Sequence, residues 1–308
     1  MISVVFPGQG SQKVGMGYDL YEKFEYVKNI FKIADETLGY KISDIILNGP
    51  QEKLNQTIYT QPSIYLIGYV ICEALKKESN FFNNKFNFFA GHSLGEYTAL
   101  TIAESLTLEQ GLILLKNRSE SMQSAVPLGK GGMLAVLGAE TAEIKEIISE
   151  NFSRIKCYVA NDNSKGQLIL SGNNNDLDKF SLLLKEKKIK NIKLPVSAPF
   201  HCELMKDATL KMEKVINNQK FNQPKFNIVS NVTSEKYENT EDIKNLLIKQ
   251  IESPVRWRET IEYMILNGTN TFVEIGPGKV LSGLIKRINK EVKVLNIDTL
   301  EDIQGNNL

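Results

Sequence analysis

The segment NFFAGHSLGE, residues 87–96, joins a short apolar run to the start of a helical pattern. The short and mostly apolar run 87–90 predicts a strand, and the pattern from about Glu96 predicts a helix. Between them, Gly91-His92-Ser93-Leu94-Gly95 matches Gly-x-Ser-x-Gly, in which the glycines permit a sharp strand-to-helix turn. Such a turn presents the serine at a helix N-terminus, where backbone N–H groups can stabilise an oxyanion. The segment therefore predicts an α/β fold with Ser93 as a nucleophile; a purely structural turn is the alternative.

Strand and helix patterns alternate on both sides of this turn. Helical patterns fill roughly residues 18–80 and 107–126, and a final helix is predicted after Gly276-Pro277-Gly278. The other predicted strands of this part of the chain are residues 2–6, 228–231 and 271–274. Strands that alternate with helices predict a mostly parallel sheet covered on both faces.

Residues 133–196 show a different pattern of secondary structure, in which short predicted strands and helices follow one another within a few residues. The predicted elements are strands at 133–137, 157–161, 167–171 and 190–196 and helices at 142–151 and 176–188. This βαββαβ order predicts a ferredoxin-like unit. We therefore expect residues 127–195 to form a small subdomain, inserted in a larger α/β subdomain made of residues 1–126 and 196–308.

Composition excludes several classes of function. The 308 residues are 42% hydrophobic and 24% charged with a net charge of +1, so nothing indicates a nucleic-acid partner. Three cysteines lie far apart and there are only two histidines, which argues against a structural zinc site. The N-terminus resembles a first strand rather than a signal peptide, and no apolar run approaches the roughly 18 residues that span a bilayer. We expect a cytoplasmic protein without a membrane anchor.

A serine nucleophile needs a base, and the two histidines are the candidates. His92 adjoins Ser93, and neighbouring side chains diverge on a sharp turn, so His201 becomes the base by elimination; a structural histidine is the alternative. Glu203 and Asp207 follow His201 too closely to be obvious orienting acids. The sequence leaves open a dyad in which a neutral acceptor, such as a backbone carbonyl, holds the imidazole.

One arginine lies on the apolar half of the helix predicted near residues 108–126. Burying the Arg118 guanidinium is costly unless it meets an anion. From the residues alone, a protein carboxylate is the usual partner. A carboxylate on the substrate is the other candidate, since a guanidinium binds it with two parallel hydrogen bonds.

Taken together, six segments resemble the malonyl-CoA:acyl carrier protein transacylase family, in that family's order and almost from end to end. They are Gly8-Gln9-Gly10-Ser11-Gln12, Gly91-His92-Ser93-Leu94-Gly95-Glu96, Arg118, Ser197-Ala198-Pro199-Phe200-His201, Gln250 with Ser253-Pro254-Val255-Arg256-Trp257, and Glu274-Ile275-Gly276-Pro277-Gly278. Each segment is only suggestive, whereas their joint occurrence is very specific.

The resemblance implies a fold and three side-chain roles. The expected fold is an α/β-hydrolase-like core that carries the ferredoxin-like insertion. Ser93 would be the acylated nucleophile, His201 its base, and Arg118 the partner of the malonyl carboxylate.

The resemblance also implies three supporting positions. In the family, backbone N–H groups at the positions of Gln9 and Leu94 form the oxyanion hole. The backbone carbonyl at the Gln250 position orients the histidine, which would explain the missing acid.

The implied reaction moves malonyl from malonyl-CoA to the phosphopantetheine thiol of acyl carrier protein through a malonyl-serine, with ping-pong kinetics, for fatty acid synthesis. We expect no metal and no bound organic cofactor, no nucleic-acid or membrane partner, and a monomer. Three alternatives stay open at this point: a serine hydrolase or thioesterase, a non-catalytic carrier-protein-binding module, and an acyltransferase of polyketide synthesis.

Overall fold

The computed structural model describes residues 1–196 and 198–305. Ser197, in one of the quoted segments, and the last three residues of the expected large subdomain lie outside the described residues. The strands are β1 (Ile2–Phe6), β2 (Phe86–Gly91), β3 (Gly131–Leu137), β4 (Cys157–Ser164), β5 (Gln167–Asn173), β6 (Lys190–Lys193), β7 (Ile228–Val229), β8 (Thr271–Ile275) and β9 (Lys293–Ile297).

Helices fill most of the remaining chain. The α-helices are α1 (Tyr18–Lys23), α2 (Glu25–Leu38), α3 (Ile42–Leu47), α4 (Gln51–Leu54), α5 (Thr57–Glu78), α6 (Gly95–Ile102), α7 (Leu108–Ser124), α8 (Thr141–Asn151), α9 (Asn174–Glu186), α10 (Lys206–Asn217), α11 (Thr240–Gln250), α12 (Trp257–Leu266), α13 (Val280–Ile288) and α14 (Leu300–Gln304). Single 3-10 turns occupy Phe81–Asn83 and Glu203–Met205.

The larger sheet has the strand order β7-β2-β1-β8-β9, and its strands are parallel. In the central strand β1, Val4, Val5 and Phe6 are fully buried, because helices cover both faces of the sheet. Adjacent residues of β1 therefore pack in two different apolar clusters, Val4 and Phe6 in one and Val5 in the other. The predicted α/β class with a mostly parallel sheet is confirmed.

The smaller sheet is antiparallel with the order β4-β5-β3-β6, and its elements follow the predicted ferredoxin-like sequence βαββαβ. Leu134 and Val136 of β3 pack on α8 and α9, within a small core of their own. The alternate residues Met133 and Ala135 face the other way and join the core of the larger part. This second face becomes one wall of the cleft described below.

Backbone hydrogen bonds tie the small sheet to the segment between α11 and α12. Asp162 donates its N–H to the carbonyl of Val255 at 2.9 Å, and Val255 donates to Ala160 at 2.8 Å. The Asp162 carboxylate also pairs with Arg258 at 2.8 Å. The expected subdomain borders near residues 127 and 195 fall in the connections before β3 and after β6, and the division stays a prediction.

Several elements differ from the sequence expectations: β4 runs on to Ser164, β7 is shorter than predicted, and α10, α11 and α12 were not predicted. The strand predicted over 190–196 ends at Lys193, shortly before Pro195, which has no N–H for a sheet hydrogen bond. The chain also continues past the expected final helix into β9 and α14. Strand β9 lies at the edge of the larger sheet and is only partly buried, so its residues lack a clear alternating pattern.

No helix in the described ranges is long and apolar enough to cross a membrane.

The start of α6 packs directly on β1. A Cβ atom on Gly95 would lie 2.3 Å from the carbonyl oxygen of Phe6, and one on Gly91 would lie 1.9 Å from the backbone of Gly95. Only glycine at these two positions lets the strand-to-helix turn close against the neighbouring strand.

We predict that Gly95→Ala lowers the free energy of unfolding by about 3 kcal/mol or more, because the new methyl group meets rigid backbone. The measurement is urea unfolding followed by fluorescence of the buried Trp257, the single tryptophan. Gly283→Ala is the control: its Cβ would meet nothing within 4 Å inside a helix, so it should stabilise the protein by roughly 0.5–1 kcal/mol. Equal effects of the two changes would contradict the close packing at Gly95.

Candidate active site

Ser93 lies on the turn between β2 and α6 with a φ of 54°, in the left-handed region that non-glycine residues rarely adopt. Its N–H donates to Asn231 Oδ1 at 2.7 Å, while Asn231 Nδ2 donates to the carbonyl of Gly91 at 2.8 Å. One asparagine side chain thus spans the turn. The strained backbone points the hydroxyl into the cleft between the two sheets.

His201 reaches Ser93 from the segment that follows the small sheet. Its Nε2 lies 2.9 Å from Ser93 Oγ, and its Nδ1 lies 2.8 Å from the backbone carbonyl of Gln250. A carbonyl only accepts hydrogen bonds, so the proton belongs on Nδ1 and Nε2 is left to accept from the serine. The arrangement is a serine–histidine dyad with a neutral orienting group.

The position of Gln250 explains why its carbonyl is available. Gln250 is the last residue of α11, and the final carbonyls of a helix have no partner within the helix. The same helix end carries a partial negative charge, which favours a positive charge developing on the imidazole. In the described part of the chain no carboxylate forms a hydrogen bond with His201, and Glu203 instead accepts from Tyr158.

Burial, together with the nearby positive charge of Arg118, lowers the pKa of His201 to about 3. The imidazole is therefore neutral at physiological pH, as a general base must be before it takes a proton. His92 is also buried, and burial lowers its pKa. It contacts Asn163 through Nε2 at 2.9 Å and does not take the place of His201 at the serine.

Arg118 projects from α7 into the same site and is fully buried. One terminal nitrogen donates to Gln61 Oε1 at 2.8 Å; the other donates to Ser93 Oγ and to Gln250 Oε1, each at 2.9 Å. Burial lowers the pKa of the guanidinium. Among the described residues no carboxylate lies within ion-pair distance of Arg118. The direct protein carboxylate partner that the sequence left open is therefore not found there.

Gln9 and Leu94 lie at the mouth of the site. Both line, with Ser93, a pocket of about 110 Å³. In residues 1–196 and 198–305, no backbone carbonyl receives the N–H of either residue. Leu94 immediately precedes α6, so its N–H lies at the positive end of that helix.

The pocket is mostly apolar away from the reacting groups. Its apolar walls are Met122, Met133, Ile169, Leu194, Val196 and Phe200, several of them from the small sheet. A larger cleft of about 580 Å³ adjoins it and shares Gln9, His92 and Asn161. The serine therefore lies in the smaller pocket, and the larger cleft adjoins this pocket on the side of Gln9 and His92.

Sequence reasoning missed three residues of the site. Gln61 and Asn231 carry direct hydrogen bonds to Arg118 and Ser93, and Glu96 accepts from the Gln250 amide at 2.7 Å. Gln61 gave no clear signal, since it lies near the start of α5 with Thr60 and Ser63 close by in the sequence. Glu96 belongs to a quoted segment but received no role. Asn231 gave no signal in the sequence.

Comparison with known proteins identifies the family. The acyl transferase domain family matches residues 4–301. The malonyl CoA-acyl carrier protein transacylase of Bacillus subtilis (strain 168) is 40% identical over 307 residues, covering 98% of this chain and 95% of that protein. The chain belongs to this transacylase family. It is accordingly an acyltransferase.

Solved structures of the family agree with the fold. The transacylase from Clostridium perfringens ATCC 13124 has a TM-score of 0.92 at 40% identity, covering 98% of this chain and 95% of that chain. A malonyl-transacylase solved in complex with its type II PKS acyl-carrier protein has a TM-score of 0.94 at 34% identity, covering 98% and 97%. The α/β core with its ferredoxin-like insertion is thus the architecture of this family.

We predict that His201 of the untagged transacylase gains no proton between pH 8 and pH 5, because burial lowers the pKa of this imidazole to about 3. The measurement is NMR titration of the ring signals, assigned with a His92→Asn variant. Arg118→Met should raise the pKa of His201 by removing a neighbouring positive charge. Lys116→Met removes a charge from the more exposed side of α7 and should leave it unchanged. A His201 signal that titrates near pH 6.5 in the wild type would contradict the buried geometry.

Proposed function

We propose that this enzyme transfers a malonyl group from malonyl-CoA to the phosphopantetheine thiol of an acyl carrier protein through a malonyl ester of Ser93, supplying fatty acid synthesis. One observation carries the proposal. The Ser93 hydroxyl contacts both a neutral histidine and a buried arginine that has no carboxylate within ion-pair distance among the described residues. The names of the relatives support malonyl and the carrier protein as substrates.

In the first half-reaction, Ser93 Oγ attacks the thioester carbonyl while His201 Nε2 takes its proton. The carbonyl of Gln250 and the end of α11 stabilise the imidazolium that forms. The tetrahedral intermediate collapses, the carbon–sulfur bond breaks, and CoA leaves as its thiol with the proton from His201. The acyl group stays on Ser93 as an ester.

In the second half-reaction, the carrier thiol gives its proton to His201 and attacks the ester carbonyl. The bond to Ser93 Oγ breaks, and His201 returns the proton to the serine. Because CoA leaves before the carrier thiol reacts, the kinetics are ping-pong. The wider cleft beside the pocket suits both pantetheine arms, which enter one after the other.

Backbone N–H groups of Gln9 and Leu94 are our candidates for the oxyanion hole. Both residues line the pocket beside Ser93, and neither N–H is donated to a backbone carbonyl of the described residues. Loss of one such donor costs about 10²- to 10³-fold in comparable enzymes.

Arg118 is our candidate for binding the free carboxylate of the malonyl group. Its guanidinium already lies 2.9 Å from the serine hydroxyl, so the acyl group must form beside it. A planar guanidinium offers two parallel hydrogen bonds to a carboxylate. In the acylated enzyme this pair retains the carboxylate in a pocket with apolar walls and keeps water from the ester.

Polyketide synthesis is the second candidate pathway, since one structural relative is a malonyl-transacylase of a type II PKS carrier protein. The chemistry at Ser93 is the same in both pathways, and the carrier protein distinguishes them. Comparing transfer to a fatty acid carrier and to a polyketide carrier would separate the two. Three further properties stay predictions: the enzyme needs no metal or bound organic cofactor, it is a monomer, and it is cytoplasmic.

We predict that brief mixing with malonyl-CoA adds one malonyl group to Ser93, that this adduct persists in water, and that carrier protein discharges it. The measurement is intact-protein mass, with Ser93→Ala as the variant that should stay unmodified. Ser121→Ala, a buried serine on α7, is the matched control and should be acylated normally. Free malonate without a lasting adduct would indicate a hydrolase, and no reaction at all would indicate a binding module.

We predict that Arg118→Ala lowers kcat/KM for malonyl-CoA by about 100-fold or more, because the acyl carboxylate loses its paired charge. The much slower reaction with acetyl-CoA should change by less than about tenfold, since acetyl has no carboxylate to bind. Arg118→Lys should recover only part of the loss, because an ammonium cannot form the bidentate pair. Equal losses with both substrates would rule out this role for Arg118.

A further inference from the structure

Glu96 is a buried carboxylate that the mechanism above does not use. It lies in the first turn of α6, three residues after Ser93, and is 1% exposed. Its two oxygens accept hydrogen bonds from the Tyr237 hydroxyl, from Gln250 Nε2 at 2.7 Å and from the Asn231 N–H at 3.2 Å. In the described part of the chain, no lysine or arginine lies within ion-pair distance of this carboxylate.

A single amide group connects Glu96 to Arg118. Gln250 donates through Nε2 to Glu96 and accepts through Oε1 from the Arg118 guanidinium at 2.9 Å. An ionised carboxylate offers only acceptors, so it fixes the amide with its NH₂ toward Glu96 and its oxygen toward Arg118. The negative charge of Glu96 and the positive charge of Arg118 influence each other across this bridge.

This arrangement has a consequence for an acyl group that carries its own carboxylate. In the empty site, ionised Glu96 already offsets part of the charge of Arg118. A malonyl group adds a second anion near the same guanidinium, in an interior where charges are weakly screened. Repulsion between the two carboxylates weakens malonyl binding, whereas acetyl meets no such repulsion.

We propose that Glu96 is a specificity-determining residue: its ionised carboxylate competes with the acyl carboxylate for Arg118, and its protonation strengthens the preference for malonyl over acetyl. The inference rests on the proposed function, in which Arg118 binds the malonyl carboxylate. In that site Glu96 is a second anion beside the malonyl carboxylate, and its ionisation makes the preference for malonyl over acetyl depend on pH.

Glu96 titrates within the pH range in which the enzyme is assayed. Burial raises its pKa to about 7, although the hydrogen bonds from Tyr237, Gln250 and Asn231 and the charge of Arg118 oppose the shift. The raised pKa of Glu96 also makes the free energy of unfolding depend on pH. The folded protein binds this proton more tightly than the unfolded chain, so ionisation of Glu96 costs stability between roughly pH 4.5 and pH 7.

The pKa values of the other titratable groups around Arg118 lie outside the interval from pH 6 to pH 9 or are shifted away from it. Burial raises the pKa of Tyr97 to about 12 and that of Tyr237 well above its ordinary value. His201 has a pKa of about 3, burial also lowers the pKa of His92, and a guanidinium stays charged. The CoA phosphates titrate identically in malonyl-CoA and acetyl-CoA, so their effect cancels when kcat/KM for one substrate is divided by kcat/KM for the other.

The experiment measures kcat/KM for malonyl-CoA and for acetyl-CoA from pH 6 to pH 9. Their ratio removes every step that the two substrates share. We expect the ratio in the wild type to fall on the order of tenfold as pH rises, with its midpoint near the pKa of Glu96. Two unit charges roughly 10 Å apart, at an effective dielectric constant of about 20, give an effect of this size. A ratio that does not change with pH would overturn the inference.

Three variants sharpen the test. Glu96→Gln has no ionisable group, so its ratio should be independent of pH; a wild-type slope in this variant would overturn the inference. Tyr237→Phe removes a hydrogen bond that lowers the pKa of Glu96, so the midpoint should move to higher pH. An unmoved midpoint would likewise count against Glu96, even if Glu96→Gln failed to fold.

Glu274→Gln is the control variant. It removes another buried carboxylate, which binds the start of α13, and should keep the wild-type dependence of the ratio on pH.

Failure of this inference is distinguishable from failure of the proposed function. The mass of the acylated enzyme is measured in the same preparations at each pH. Without a malonyl adduct on Ser93, the proposed function itself fails. With the adduct, active transfer and a constant ratio, the function stands and only the role of Glu96 is rejected.

Discussion

Gln250 is the residue on which the geometry of the whole site depends. Its backbone carbonyl, left unpaired at the end of α11, holds His201, while its side chain contacts Arg118, Glu96 and the carbonyl of Ser93. One fully buried residue thus positions His201, Arg118 and Ser93. A helix terminus here replaces the carboxylate that orients the histidine in a serine–histidine–aspartate triad.

Burial gives these few polar groups their chemical character. His201 stays neutral because an imidazolium would be poorly solvated beside Arg118. Arg118 keeps its charge in the same surroundings and donates to neutral oxygens of Gln61, Ser93 and Gln250. A buried cation whose contacts are neutral oxygens attracts an anionic substrate group more strongly than one already paired with a carboxylate. Glu96, one amide away, moderates that attraction.

Local patterns predicted much of the fold. The strand, turn and helix around Ser93 fall within about one residue of their predicted bounds, because glycines and an apolar run specify them locally. The elements of the small sheet follow for the same reason, although β4 runs on to Ser164 and β6 ends at Lys193. Strand β9 was missed because an edge strand that is only partly buried gives a weak pattern.

The sequence by itself determined the family and the candidate nucleophile, base and arginine, because rare residues stand in specific segments. Tertiary structure alone decided what each of them contacts. Asn231 spans the Ser93 turn across 138 residues of sequence, and Gln250 reaches Ser93 across 157. Contacts of this kind depend on how helices pack on the sheet, and no local pattern encodes them. The neutral state of His201 and the bridge from Glu96 to Arg118 follow from that packing, since burial sets the cost of each charge.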